Sequence, residues 1–222
     1  MTIINRTWGF IFVHIPKTGG TSIAHALSPL CTWQDIELGG TRYGEKMHQA
    51  FGLKHRIWKH SFASEIRDVV GRGTWGSMTS FALVRDPVER TLSTFRYLRH
   101  HRSHYSFMDD ITSIDALLMS PHWSEHGPDR MFLPQTRYLC RGPDNDLLVD
   151  YVIRLEDLDE RIQPLLNDIG IPRSKIAKLV FEQKNTSPRL EEDELEPRHL
   201  EMIAERYADD YQILGYPPPI LA

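Results

Sequence analysis

The sequence is short of several things, and each shortage removes a class of protein. It has two cysteines, Cys31 and Cys140, in 222 residues. Two thiols build neither a disulfide framework nor a cysteine-rich metal cluster, so the pair reads as ordinary buried or half-buried cysteines. No apolar run approaches the roughly 18 residues of a membrane-spanning helix. The first residues lack the basic stretch, apolar core and small-residue cleavage site of a secretory leader. A cytoplasmic protein is the expectation. Positive charge is not in excess, with 26 Lys and Arg against 30 Asp and Glu and a formal net charge of -4. That balance argues against a nucleic-acid partner. Repeats and low-complexity tracts are missing, and so is a G-x-x-x-x-G-K-[ST] loop of the nucleoside triphosphatase type. What remains is 41% hydrophobic and 25% charged, the make-up of a globular chain with a real core. One domain over residues 1–222 is expected.

Local patterns give an element order. The apolar run from Trp8 to Ile15 reads as a buried strand. It stops at Pro16, passes through Lys17-Thr18-Gly19-Gly20-Thr21-Ser22, and enters a helix with Ile23, Ala26 and Leu27 on one face. Arg56 to Lys59 is a short second strand by the same reading, and Phe62 to Val70 a helix. Thr79 to Val84 is a third strand. Asp86 then serves as N-cap, Pro87 as first helical residue and Glu89 as the third, which opens a helix with Val88, Leu92 and Phe95 along one face. A fourth strand over Val149 to Arg154 precedes an amphipathic helix over 157–169. A last helix spans 197–207. Strands alternating with helices imply an α/β fold of three layers and P-loop type, with a mainly parallel central sheet flanked by helices.

Two strand-to-helix turns carry phosphate chemistry. In the first, Gly19 and Gly20 let the backbone approach an anion, and the following helix N-terminus adds partial positive charge. Thr18, Thr21 and Ser22 add hydroxyl groups, and Lys17 a mobile cation. In the second, Phe81-Ala82-Leu83-Val84-Arg85-Asp86-Pro87-Val88-Glu89-Arg90-Thr91-Leu92-Ser93, Arg85 ends a strand where open α/β sheets bind ligands. Ser93 lies about two turns into the helix, off its apolar stripe. An arginine fork and a compact hydroxyl suit a second phosphate.

The pair P-K-T-G-G-T-S and R-D-P-V-E-R-T-L-S-T-F resembles the two donor-binding motifs of the sulfotransferases that use PAPS, 3′-phosphoadenosine 5′-phosphosulfate. It is most similar to the carbohydrate group that includes heparan sulfate 2-O-sulfotransferase. Similarity continues through Gln135–Leu139, Val152–Leu158, Lys184–Ser187 and Glu205–Tyr211. The resemblance implies that Lys17, Thr18, Gly19, Gly20, Thr21 and Ser22 hold the 5′-phosphosulfate, with Lys17 stabilising the leaving phosphate. Arg85 and Ser93 would hold the 3′-phosphate. The loop with Lys184, Asn185 and Arg189 would close over the nucleotide. It further implies PAP as product, no metal, and a hydroxyl-bearing acceptor, glycan or small molecule.

An acceptor hydroxyl must lose its proton, and histidine suits that task near neutral pH. His60 follows the expected second strand and is the first candidate base. Lys59 is the second candidate, for the transferring group. Strand alternation would send the two to opposite sides. His14 lies beside the loop but within the strand, which suggests a structural role. Arg96, Arg99, His100, His101, Arg102 and His104 form a basic cluster that reads first as a solvated helix end. A P-loop kinase or hydrolase, which would need magnesium, and a non-catalytic nucleotide- or glycan-binding module are the competing classes.

Overall fold

The computed structural model describes residues 1–124, 130–141, 146–181 and 195–220. They fall into two compact units, 1–84 with 135–184 and 85–134 with 185–222. The first unit opens with strands β1 (Thr2–Asn5) and β2 (Phe10–Val13), then helix α1 (Gly20–Leu27), strand β3 (Ile36–Leu38) and helices α2 (Arg42–His55), α3 (Ala63–Val70) and α4 (Arg72–Gly76). Strand β4 (Thr79–Val84) ends this stretch. In the second unit follow α5 (Pro87–His100), α6 (Ile114–Leu118) and α7 (Pro121–Ser124). The chain then gives the first unit α8 (Thr136–Leu139), β5 (Cys140–Arg141), β6 (Asp146–Leu147), β7 (Tyr151–Arg154), α9 (Leu158–Asp168) and α10 (Arg173–Ile176). Helices α11 (Pro197–Arg206) and α12 (Ala208–Leu214) belong to the second unit.

The fold is mixed α/β, around a five-stranded sheet in the order β3-β1-β2-β4-β7. β2, β4 and β7 run parallel, whereas β1 is antiparallel to both β2 and β3. The mainly parallel sheet read from the sequence therefore holds only for its β2-β4-β7 half. The cause is the short link from Asn5 to Phe10. A connection that short permits a hairpin and not a crossover. Asn5 Oδ1 accepts from the Trp8 N–H at 2.7 Å, and Gly9 supplies a φ of 71°. The strand expected to start at Trp8 thus starts at Phe10.

β2 and β4 are central and covered on both faces, so Phe10, Ile11, Phe12 and Val13 are all fully buried. On one face Phe10, Phe12, Phe81, Leu83 and Ile153 pack with Ile23, Ala24 and Leu27 of α1 and with Ile162, Leu165 and Leu166 of α9. Burying each such side chain contributes about 1.5–3 kcal/mol. This core holds the β2–α1 turn in place.

Residues 56–59 form no strand, contrary to the expectation. Arg56 adopts φ 58° as the C-cap of α2, and its N–H bonds to the Gly52 carbonyl at 3.1 Å. Trp58 to Ser61 closes as a turn, with Ser61 N donating to the Trp58 carbonyl at 3.1 Å and Trp58 N to Ser61 Oγ at 3.0 Å. These backbone groups are satisfied locally and have no ladder to join. Cys31 and Cys140 form no disulfide, and burial pushes the Cys31 thiol up to about 12. Among the described residues no helix is long and apolar enough to cross a membrane.

In the second unit Asp86 caps α5 as expected, its Oδ1 accepting from Glu89 N at 3.0 Å. Arg90 is 1% exposed and donates to the Met131 and Leu133 carbonyls, both at 2.9 Å. Its guanidinium lies 5.8 Å from the Tyr207 ring centroid. The arginine in the middle of the second motif therefore serves the fold, pinning the 131–133 backbone.

Candidate active site

The turn after β2 is tight and packed from two sides. Lys17 has φ 67° and Gly19 φ 77°, both in the left-handed region. Glycine takes that conformation freely, whereas a lysine there is strained by about 1–2 kcal/mol. Thr18 is fully buried and its hydroxyl donates to the Ile15 carbonyl at 3.0 Å, so its oxygen closes the turn. Ser22 N bonds to the Gly19 carbonyl at 3.0 Å and starts α1. A Cβ on Gly19 would lie 2.6 Å from Leu155 Cδ1. A Cβ on Gly20 would lie 1.9 Å from Cδ2 and 2.1 Å from Nε2 of His14. The two glycines are thus required by packing as well as by conformation. Lys17, Thr21 and Ser22 are half-buried at the N-terminus of α1, where a helix attracts anions.

Gly20→Ala is expected to cost about 1–3 kcal/mol, the usual penalty for overpacking. In a His14→Ala background the same change should cost much less, because the ring that it strikes is gone. Urea unfolding of the four proteins measures this coupling, and equal costs in both backgrounds would contradict the contact.

His60 sits in the Trp58–Ser61 turn, half-buried. Its Nδ1 lies 3.1 Å from the His14 carbonyl oxygen. A carbonyl only accepts, so Nδ1 carries the proton and Nε2 keeps a free lone pair. The two imidazole rings stand 4.5 Å apart between centroids. Burial, then the Met1 amino group and Lys59, with smaller contributions from His48 and Lys17, hold His60 well below the ordinary histidine range. At neutral pH it is an uncharged imidazole, the form of a base. Lys59 shares the turn, so the strand-alternation argument for separating the two residues does not apply. Its carbonyl accepts from Thr2 Oγ1 at 3.2 Å, and its side chain lies against Gly39.

In the second unit Arg85 forms an ion pair with Glu89 at 3.1 Å. Ser93 follows Glu89 by four residues, one helical turn. Glu89 and Ser93 therefore share a face of α5, and the Glu89 carboxylate reaches back to orient the Arg85 guanidinium just before the helix. Lys184, Asn185 and Arg189 lie outside the described residues. The basic cluster at the end of α5 is partly packed. Arg96 is 8% exposed, Arg99 lies 5.4 Å from the Phe95 centroid, and His101 Nδ1 donates to the Tyr97 carbonyl at 2.9 Å. His100, Arg102 and His104 are exposed, as on a solvated helix end. Among the described residues no group of three or more His, Cys, Asp or Glu is placed to hold a metal ion.

Sequence reasoning missed the packing of Leu155 on Gly19, and placed His14 within the strand with a structural role, whereas β2 ends at Val13. The only local signal for His14 is its place directly before the loop.

The loop and the neutral imidazole beside it suit transfer of an anionic group. No curated protein and no solved structure matches this chain. The profile described as the sulfotransferase family matches residues 1–217, across the Lys17 loop, the His60 turn and the Arg85 corner. On that match the chain belongs to the sulfotransferase family.

Proposed function

We propose that the chain, acting as one catalytic domain of P-loop type over residues 1–222, transfers a sulfuryl group from PAPS to a carbohydrate hydroxyl. The observation that carries this reading is His60: neutral, held through Nδ1 by the residue that leads into the loop, and keeping Nε2 for a proton. The carbohydrate acceptor and the PAPS donor rest on the motif resemblance to the heparan sulfate 2-O-sulfotransferase group.

In this reading the loop Lys17–Ser22 binds the 5′-phosphosulfate with its backbone N–H groups, the Thr21 and Ser22 hydroxyls and Lys17. Thr18 contributes its backbone, since its hydroxyl is already used. Arg85 and Ser93 bind the 3′-phosphate, and Lys184, Asn185 and Arg189 cover the nucleotide. The acceptor oxygen attacks sulfur in line with the leaving 5′-phosphate oxygen. The new O–S bond forms as the S–O bond to that phosphate breaks. The acceptor proton passes to His60 Nε2, and PAP leaves with its charge opposed by Lys17. Lys59 keeps His60 neutral and adds positive charge near the transferring group.

Calorimetric titration with PAP and with ATP, both without magnesium, tests the donor site. PAP should bind tightly and ATP weakly. Arg85→Ala should weaken PAP by about 10–100-fold, the loss of a charge-assisted bond of about 1.5–3 kcal/mol. Equal binding of ATP, or PAP affinity untouched in Arg85→Ala, would overturn the reading in favour of a kinase or hydrolase.

A further inference from the structure

We propose that His14 is a positioning residue: its ring is a spacer that sets the separation between the His60 imidazole and the Gly19–Gly20 turn. The role of His60 as base rests on the sulfotransferase reading; the spacer geometry does not.

His14 is 5% exposed, and contacts surround its ring. Phe12 stacks against one side with ring centroids 5.9 Å apart and planes inclined by 22°. The His60 ring stands 4.5 Å away. The Cδ2–Nε2 edge presses on Gly20, where not even a methyl group fits. The same residue's carbonyl accepts the His60 Nδ1–H at 3.1 Å. One residue therefore holds the imidazole of His60 by its backbone, bounds it by its ring, and abuts the first residue of α1.

The polarity of His14 is not what packs it there. Its Nδ1 is buried and has no hydrogen-bond partner. A sealed, unpaired polar atom is destabilising, so an apolar ring would be the more stable filler. What the site uses is the flat shape and volume of the ring. Without it, His60 gains room to tilt toward water, and the loop loses the wall behind Gly20. The charged and titratable groups around His60 are the Met1 amino group, Lys59, His48 and Lys17. All of them remain when His14 is changed, so a shift in His60 reports lost burial and orientation.

The experiment is an NMR pH titration of the His60 ring in the wild-type protein, His14→Ala, His14→Phe and Gly20→Ala. It needs neither donor nor acceptor. In wild type His60 should titrate well below the ordinary histidine range. His14→Ala should move it up toward that range, and His14→Phe, which restores a flat ring, should bring it back down. Gly20→Ala, which pushes the ring from its other side, should also shift the His60 titration. A titration unchanged in both His14→Ala and Gly20→Ala would overturn the proposal. So would a His14→Phe protein that behaves like His14→Ala. PAP titration of the same samples keeps the two readings apart: PAP failing to bind wild type counts against the donor site alone.

Discussion

His60→Ala should lower kcat by about 10²–10⁴-fold, the usual contribution of a positioned general base, while PAP binds as in wild type. The reason is that Nε2 is the only free proton acceptor on a ring whose other nitrogen is tied to the His14 carbonyl. The pH profile carries a second signature. Only neutral His60 accepts a proton, and its basicity is held well below the ordinary value of 6.5. Activity should therefore stay level from neutral pH down past about 6.5 and fall only in more acidic solution. PAP release with a working acceptor measures both. A profile that falls with a midpoint at or above 6.5, or His60→Ala at near wild-type rate, would remove His60 from the role. Lys59→Met should reduce the rate less and leave an acid limb in place, moved upward because one positive neighbour is gone.

The same burial affects stability, and the sign follows from proton counts. Below about 6.5 the unfolded chain protonates residue 60, while the folded protein does not until the pH is lower still. The unfolded state binds more protons in that window, so stability falls as pH drops through it. Urea unfolding at neutral and mildly acid pH should show this loss in wild type, and a smaller one in His60→Phe.

Lys17 gives the other large effect. Lys17→Ala and Lys17→Gly both remove the cation that opposes charge on the leaving phosphate. Each should lower kcat by about 10²–10³-fold, the scale of a lost electrostatic stabiliser in a shielded site. Their stabilities should differ. Residue 17 holds φ 67°, which strains alanine as it strains lysine. Glycine is free of that strain but gives the unfolded chain more freedom, at about 0.5–1 kcal/mol. The net expectation is Lys17→Gly more stable than Lys17→Ala by about 0.5–1 kcal/mol, read from urea midpoints. Equal midpoints would mean that the turn relaxes in solution. A strained residue kept at a point of chemistry is the pattern expected when function, not folding, selects the side chain.

Much of this protein was legible in the sequence because much of it is local. The run Phe10–Val13, the Gly19–Gly20 turn, the Asp86-Pro87-Glu89 cap and the apolar stripes of α5, α9 and α11 depend on neighbours a few residues apart. So do the residue types of both candidate phosphate sites. Tertiary structure decided the rest. β1 and β3 went unread, and β1 runs antiparallel to both β2 and β3, which makes half the sheet unlike the expected one. The stretch Arg56–Lys59 has the composition of a strand but spends its backbone on a helix cap and a turn. Arg90, in the middle of the second motif, is buried because carbonyls about forty residues away accept its hydrogen bonds. His14 and His60 are 46 residues apart, and no periodicity links them. Their contact arises only when the chain from α2 brings the Trp58–Ser61 turn back to the end of β2. Local patterns specify what each segment can become. Which imidazole is uncharged and aimed is a property of burial, and burial exists only in the assembled core.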